Sequence, residues 1–292
     1  RIEHMTESLI ELLFQGITLG GLYGAIGAGL ALTFGILKVV NLAHGELITL
    51  GAFIAVGLEA LVPGLPIIAL LIGAFVASAI IGGVLQAAFV ERAMSFRDPM
   101  VPLLVTFGIA VILRNLLVET VGADLRGLDV GGIAQRSFQI GQMTFGALPL
   151  LTLGVAVAVF IGLSLLIHRT GFGREVRALS DRPDVAALMG VRLKWVHIKV
   201  AALAAGFAAL AGVLLAMRAS VSPFSGISYL LVAFEVVVLG GLGSTRGAFG
   251  AGVLLGVIQV VSSRFDSNAG LLYVHLAFFA ILVLRAISGR LA

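Results

Sequence analysis

No cysteine occurs among the 292 residues, so a disulfide framework and a thiolate metal site are both excluded. Charge is scarce too: 12% of the residues are Asp, Glu, Lys or Arg, about half the share of an ordinary soluble domain. The seven prolines (Pro63, Pro66, Pro99, Pro102, Pro149, Pro183, Pro223) fall in loops or near the ends of apolar segments, so any interruption inside a helix has to rest on glycine. No N-terminal stretch joins an apolar core to a small-residue cleavage site. Arg1 to His4, ahead of Met5, read as residues added before the natural start, which leaves the first apolar span to direct insertion.

Apolar side chains fill the space these absences leave. They make up 60% of the chain, and the mean hydropathy is +1.14, the signature of an integral membrane protein. Apolar stretches run over about 8–37, 42–62, 66–90, 100–118, 147–167, 196–217, 229–239, 248–261 and 271–287. The expectation is an all-α polytopic protein of about eight spans, some of them broken or re-entrant, forming one transmembrane domain over 1–292. The net charge of +4 comes from basic residues in short connecting loops, where they set topology, and it excludes nucleic acid as the expected partner.

The segment 168–195 carries Arg169, Arg174, Arg177, Arg182, Arg192 and Lys194 against Glu175, Asp181 and Asp184, which places it in the cytoplasm by the positive-inside rule. Arg92 and Arg97 fall on the same side. Counting spans back puts the N-terminus outside, and Arg285 and Arg290 favour a cytoplasmic C-terminus. The longer connection from Gly122 to Gly146, with Asp124, Arg126, Asp129, Gln135 and Arg136, is then external and open to a soluble partner. In "GGLYGAIGAGL", Gly20, Gly24 and Ala28 recur every four residues, a small-residue face that lets another helix approach closely.

Three places carry chemistry. In "LKVVNLAHGEL", Lys38, Asn41, His44 and Glu46 crowd into nine residues between two apolar runs, flanked by Gly35 and Gly45. The cluster is either an exposed turn or a broken helix whose unwound backbone lines a cavity. In "FEVVVLGGLGSTRGAFG", Glu235 precedes Gly240, Gly241, Gly243 and Ser244, a glycine density that breaks a helix at membrane depth or turns its end sharply. The pattern lacks the spacing of a phosphate-binding P-loop, so this chain is not its own ATPase. In "REVRALSDRPDVAALMGVRLKW", Asp181 as cap, Pro183 in the first turn and Gly190 at the end mark a short helix from about Pro183 to Met189. Val185, Leu188 and Met189 share one face of it, to be inserted in a groove on a cytoplasmic partner or laid on membrane lipid.

Together these motifs resemble the permease subunits of branched-chain amino-acid ABC importers, the LivH-like family. "NLAHGE", Asn41 to Glu46, is similar to the core of that family's N-terminal signature, and Ala233 to Gly256 to its C-terminal glycine signature. Asp184, Val185, Ala186 and Gly190 stand at the positions of the cytoplasmic E-A-A-x-x-x-G coupling motif, with Asp for Glu and Val for the middle Ala. The resemblance implies an ABC importer permease fold in a bacterial inner membrane, no cofactor of its own, and alternating access driven by ATP. It implies as partners a second permease, identical or related, two cytoplasmic ABC ATPase subunits and an external substrate-binding protein. It also implies a translocation pathway at Asn41, His44, Glu46, Glu235, Gly240, Gly241, Gly243 and Ser244, and ATPase coupling through Asp184, Val185, Ala186, Leu188, Met189 and Gly190. Two rival readings are a passive channel for urea or another small neutral solute, and an intramembrane protease using Ser244 with His275. No N-P-A triplet supports the first, and the residues after Ser244 do not match a rhomboid-like motif.

Overall fold

A computed structural model describes residues 2–96, 98–140, 143–267 and 269–288. Arg97 and Arg290, which entered the topology argument, and Arg1 lie outside them. The helices are α1 (Ile2–Leu37), α2 (His44–Leu61), α3 (Ile67–Leu85), α4 (Glu91–Ala93), α5 (Met100–Val121), α6 (Ala147–Arg169), α7 (Gly171–Asp181), α8 (Pro183–Leu188), α9 (Leu193–Arg218), α10 (Gly226–Gly240), α11 (Thr245–Ser262) and α12 (Gly270–Ile287). A π-helical turn, Gln86–Val90, joins α3 to α4, so this span runs unbroken from Ile67 to Ala93. Eight helices among the described residues are long and apolar enough to cross a bilayer, and α10, at 15 residues, is a shorter apolar segment. Every proline lies in a loop or a helix's first turn: Pro66 and Pro99 are N-caps, and Pro183 opens α8.

Contacts at the two ends of α1 define the faces of the molecule. Near its start the backbone N–H of Thr144 donates to Glu11 at 2.9 Å, and Phe14 meets Phe145 edge to face at 4.8 Å. Near its end Ser180 of α7 donates to the Gly35 carbonyl at 2.9 Å. The connection Gly122 to Gly146 therefore sits opposite the basic segment. It holds what the sequence did not show, an antiparallel hairpin of β1 (Ser137–Ile140) with β2 (Met143–Gly146). A bridge between Arg126 and Val221 fastens the same connection to the end of α9.

α1 and α9, the most deeply buried of the spans, occupy the middle, with α2 and α10 against them. Leu22, Ile26 and Leu30 of α1, Ile48 of α2 and Leu214 of α9 are at most 1% exposed. At the rim Ile72 and Ile80 of α3, Ile112 of α5, Ile161 of α6 and Phe279 of α12 are half or more exposed, as side chains facing lipid are. Lipid is as apolar as leucine, so the central helices hold together by close approach rather than by hydrophobic burial. Gly16, Gly20 and Gly24 of α1 cross Gly252 and Gly256 of α11 backbone to backbone. A β-carbon at Gly256 would meet the backbone of Gly20 and Gly16, whereas Gly250, on the other side of α11, has open space beside it.

This crossing predicts opposite outcomes for two substitutions in one helix. Alanine is favoured over glycine inside a helix by about 1 kcal/mol, so Gly250→Ala is neutral or stabilising. Gly256→Ala forces the two backbones apart and costs about 1–3 kcal/mol. Thermal unfolding in mild detergent compares them, and equal midpoints would remove the crossing from the account.

Candidate functional site

α1 ends at Leu37, and Lys38 takes a left-handed backbone (φ 54°), the conformation that stops a helix. The chain then leaves helical geometry until His44. It enters the protein from an exposed Lys38 through half-buried Val39 to Leu42: Ala43, His44 and Glu46 are at most 2% exposed, and His44 Nε2 donates to the carbonyl of Ile26, midway along α1, at 3.0 Å. α2 thus starts inside the protein, beside the middle of the first span.

An unwound stretch at this depth needs partners for its backbone. Asn41 turns inward on its own chain, Oδ1 accepting from Ala43 N–H at 3.0 Å while its carbonyl accepts from His44 N–H at 3.2 Å. Thr106 of α5 completes the set, its hydroxyl oxygen accepting from Leu42 N–H at 3.2 Å and standing 3.3 Å from the Val40 carbonyl. Asn41 and Thr106 therefore hold the break open, and His44 and Glu46 are what it presents.

Glu46 forms an ion pair with Arg114, whose Nε donates to Oε1 at 3.0 Å and whose Nη2 donates to the same oxygen. Its other oxygen, Oε2, is buried with no partner, as is His44 Nδ1. The carboxylate lies against Gly226, the first residue of α10, so the ends of two helices meet at an ion pair whose carboxylate is buried and whose arginine is partly so. The amide end of a helix favours a carboxylate at this place. Nothing in the sequence pattern pointed to Arg114, a lone cation in an apolar run.

Glu235 lies further along α10. It is 1% exposed, and His275 Nδ1 stands 2.5 Å from its Oε1 while Oε2 has no partner. Gly240, Gly241, Gly243 and Ser244 are not gathered with these groups. They form the tight turn between α10 and α11, with positive φ at Gly241 and Gly243, on the face that carries α7. A side chain on Gly35 or Gly243 would run into the other's Cα. Of the two readings of this glycine cluster, the sharp turn at a helix end is the one observed. Ser244 caps α11, accepting from Gly247 N–H at 3.0 Å, and is not joined to His275, whose ring is engaged by Glu235.

The basic segment folds as expected, with one correction. α8 spans Pro183–Leu188, Gly190 takes a φ of 86°, and Val191 N–H returns to the Ala186 carbonyl at 3.0 Å. Asp181 is not its cap: it is the last residue of α7, and the N-cap position is held by Arg182, whose side chain makes no capping bond. Ala186 is buried, and Val185, Leu188 and Met189 are 48%, 86% and 81% exposed.

Removing one member of a buried ion pair is costlier than removing both, because the remaining charge is left unpaired. Arg114→Met is expected to lose about 3–5 kcal/mol, and the pair Arg114→Met with Glu46→Leu to recover most of it. Unfolding midpoints in detergent test this, and a single variant as stable as the double would show that the pair is not coupled.

The sequence profile described as the branched-chain amino acid transport system / permease component matches residues 12–286. Among curated proteins, the chain is 27% identical to the high-affinity branched-chain amino acid transport system permease protein LivH of Salmonella typhimurium, over 94% of this chain and 92% of that one. It is 28% identical to the corresponding permease protein BraD of Pseudomonas aeruginosa, over the same shares of the two chains. The solved structure of PsaBC from Streptococcus pneumoniae in complex with Fab superposes with a TM-score of 0.50 at 16% identity, covering 94% of this chain and 90% of that one, a likeness of fold alone. With a match running from the first span to the last, this multi-pass membrane protein belongs to the family of branched-chain amino acid transport system permease components.

Proposed function

We propose that the chain is the membrane-spanning permease subunit of an ATP-driven importer of branched-chain or related neutral amino acids in the bacterial inner membrane. One observation carries the ATP-driven part. α8 and its C-cap display Val185, Leu188 and Met189 outward on a segment otherwise rich in arginine, an apolar knob that the described residues leave uncovered. A helix of two turns has too little apolar area to anchor on lipid strongly, which favours a groove on a cytoplasmic ATPase. LivH and BraD, by name, are permease proteins of high-affinity branched-chain amino acid transport systems, which supports the substrate class. A passive channel leaves α8 without a role.

In this reading the two ATPase subunits hydrolyse ATP, an external protein delivers the substrate, and a second permease, identical or related, completes the pathway. ATP acts on the equilibrium between outward and inward states through its partner chains, since a conformation shifts only by a differential interaction with the two states. α8 would carry that bias to α7 and so to the end of α1, where Ser180 holds Gly35. His44, Glu46 and Glu235 would line the pathway, their unpartnered atoms supporting that role.

Three measurements test the reading. Extraction in mild detergent followed by mass spectrometry is expected to recover an ATPase in fixed stoichiometry, and a homo-oligomer without one would return the channel. Leu188→Ala with Val185→Ala removes apolar area worth about 2 kcal/mol or more, a loss of roughly thirtyfold in ATPase affinity without unfolding the spans. Retained ATPase binding would count against the knob. Glu46→Gln is expected to cut reconstituted uptake at normal expression, and full uptake would remove Glu46 from the pathway.

A further inference from the structure

Where the spans α1, α6 and α11 reach the arginine-rich face, a cavity of about 290 Å³ opens between their ends and α7, at the small end of the roughly 300–1,000 Å³ usual for ligand pockets. Its ionisable lining is basic. Arg177 of α7, Arg246 of α11 and His168 at the end of α6 stand in its wall with the hydroxyls of Ser244 and Thr245, whereas Glu175 and Asp181, the acids of α7, do not.

These basic groups are only partly spent within the protein. Arg177 donates from Nη1 to the Ile167 carbonyl, which steadies the guanidinium and leaves its other N–H groups without an acceptor among the described residues. Arg246 is exposed, and its side chain has neither hydrogen bond nor ion pair among them. His168 holds its ring by Nδ1 on the Ser164 carbonyl at 2.8 Å. The first turn of α11, an 18-residue helix, adds the positive end of its dipole.

Two lipid-facing stripes end at the same residues. On α6, Ile161, Leu165 and His168 follow one another at spacings of four and three, and on α11 Arg246, Gly250 and Leu254 do so at four and four. Ile161, Leu165 and Leu254 are 50%, 53% and 47% exposed, and Gly250 has open space beside it. Phe160 and Phe249 bring the two helices together, their ring centroids 5.1 Å apart, so the stripes run side by side toward the cavity. An apolar track that leads into a basic pocket at the end of a span matches the two parts of an anionic lipid.

We propose that this cavity holds the phosphate diester of an anionic glycerophospholipid, with Arg177 and Arg246 donating to the phosphate oxygens and an acyl chain lying along Leu165 and Gly250. A soluble phosphate shares the headgroup chemistry but has no use for the track. Held there, the lipid joins α7 to the start of α11 across the end of α1. The site does not depend on which solute the chain carries.

The full chain, extracted in mild detergent with the subunits that accompany it, is titrated with dioleoyl phosphatidylglycerol, and bound lipid is counted by native mass spectrometry. Arg246→Gln is expected to raise the lipid concentration for half occupancy roughly tenfold, the loss of one charge-assisted hydrogen bond, and Arg177→Gln to do the same. Arg174→Gln removes an equal charge from an exposed position of α7 outside the cavity and is expected to leave occupancy unchanged. Dioleoyl phosphatidylcholine, with no net charge, is expected to bind about tenfold more weakly, and inorganic phosphate in excess not to displace the lipid. Because the Arg246 side chain has no partner to lose, its variant carries the test should Arg177→Gln, deprived of the bond to Ile167, fail to fold. Equal weakening by Arg174→Gln and Arg246→Gln, or equal occupancy by the two lipids, reduces the effect to a general attraction of the arginine-rich face and overturns the site. Displacement by inorganic phosphate overturns the lipid in favour of a soluble anion.

Discussion

Everything in this fold answers to the absence of water in the hydrocarbon layer, which obliges each polar atom of a span to find its partner in protein. Helices meet that demand for their own backbone, so a break in one is tolerated only where other groups supply the missing bonds. Between Lys38 and His44 they come from Asn41 and from Thr106 on a different span, and the Glu46 carboxylate is met by Arg114. Among the described residues five buried side-chain atoms are left without a partner: His44 Nδ1, Glu46 Oε2, Ser78 Oγ, Arg218 Nη1 and Glu235 Oε2. Four of these belong to the break, the helix that meets it, or the residue ending α9.

The packing of the central helices follows from the same solvent. Attraction between spans comes from close van der Waals contact, which falls off within a fraction of an ångström, so the side chains between the backbones must be small. Glycines on α1 and α11 meet that requirement along one crossing, and Gly51 against Ala209 and Gly212 against Ile48 do so between α2 and α9. Large residues such as Ile72 and Phe279 are sent outward, the reverse of a soluble protein.

Much of this was legible in the sequence, because the features concerned are local or periodic. Spans show as long apolar runs, the face of Gly20 and Gly24 as a four-residue repeat, and α8 as a proline and a glycine at its two ends. The turn at Gly240 to Ser244 was legible as a break but not in its depth, since glycine density is the same for a re-entrant segment and a helix end. The partners of the site were not legible. Arg114 pairs with a residue 68 positions away, and hydropathy averaged over a span erases a single cation. Thr106 reads as an ordinary member of an apolar helix until the fold sets it against another span. The hairpin escaped because four-residue strands in a polar connection carry too few alternations to register.

α1 touches nearly every part of the argument. Gly20 and Gly24 cross α11, Ile26 holds His44, and Gly35 is held by Ser180 of α7. The packing does not end at that crossing: Gly27 meets Val236 and Ala248, and Gly35 meets Gly243 in the turn before α11. From Gly16 to Gly35 this seam is about 28 Å long at ~1.5 Å per residue. Gripped along that length, α1 and α11 form one slat, so a displacement of Gly35 at the Ser180 contact is shared by the Ile26 carbonyl that holds His44.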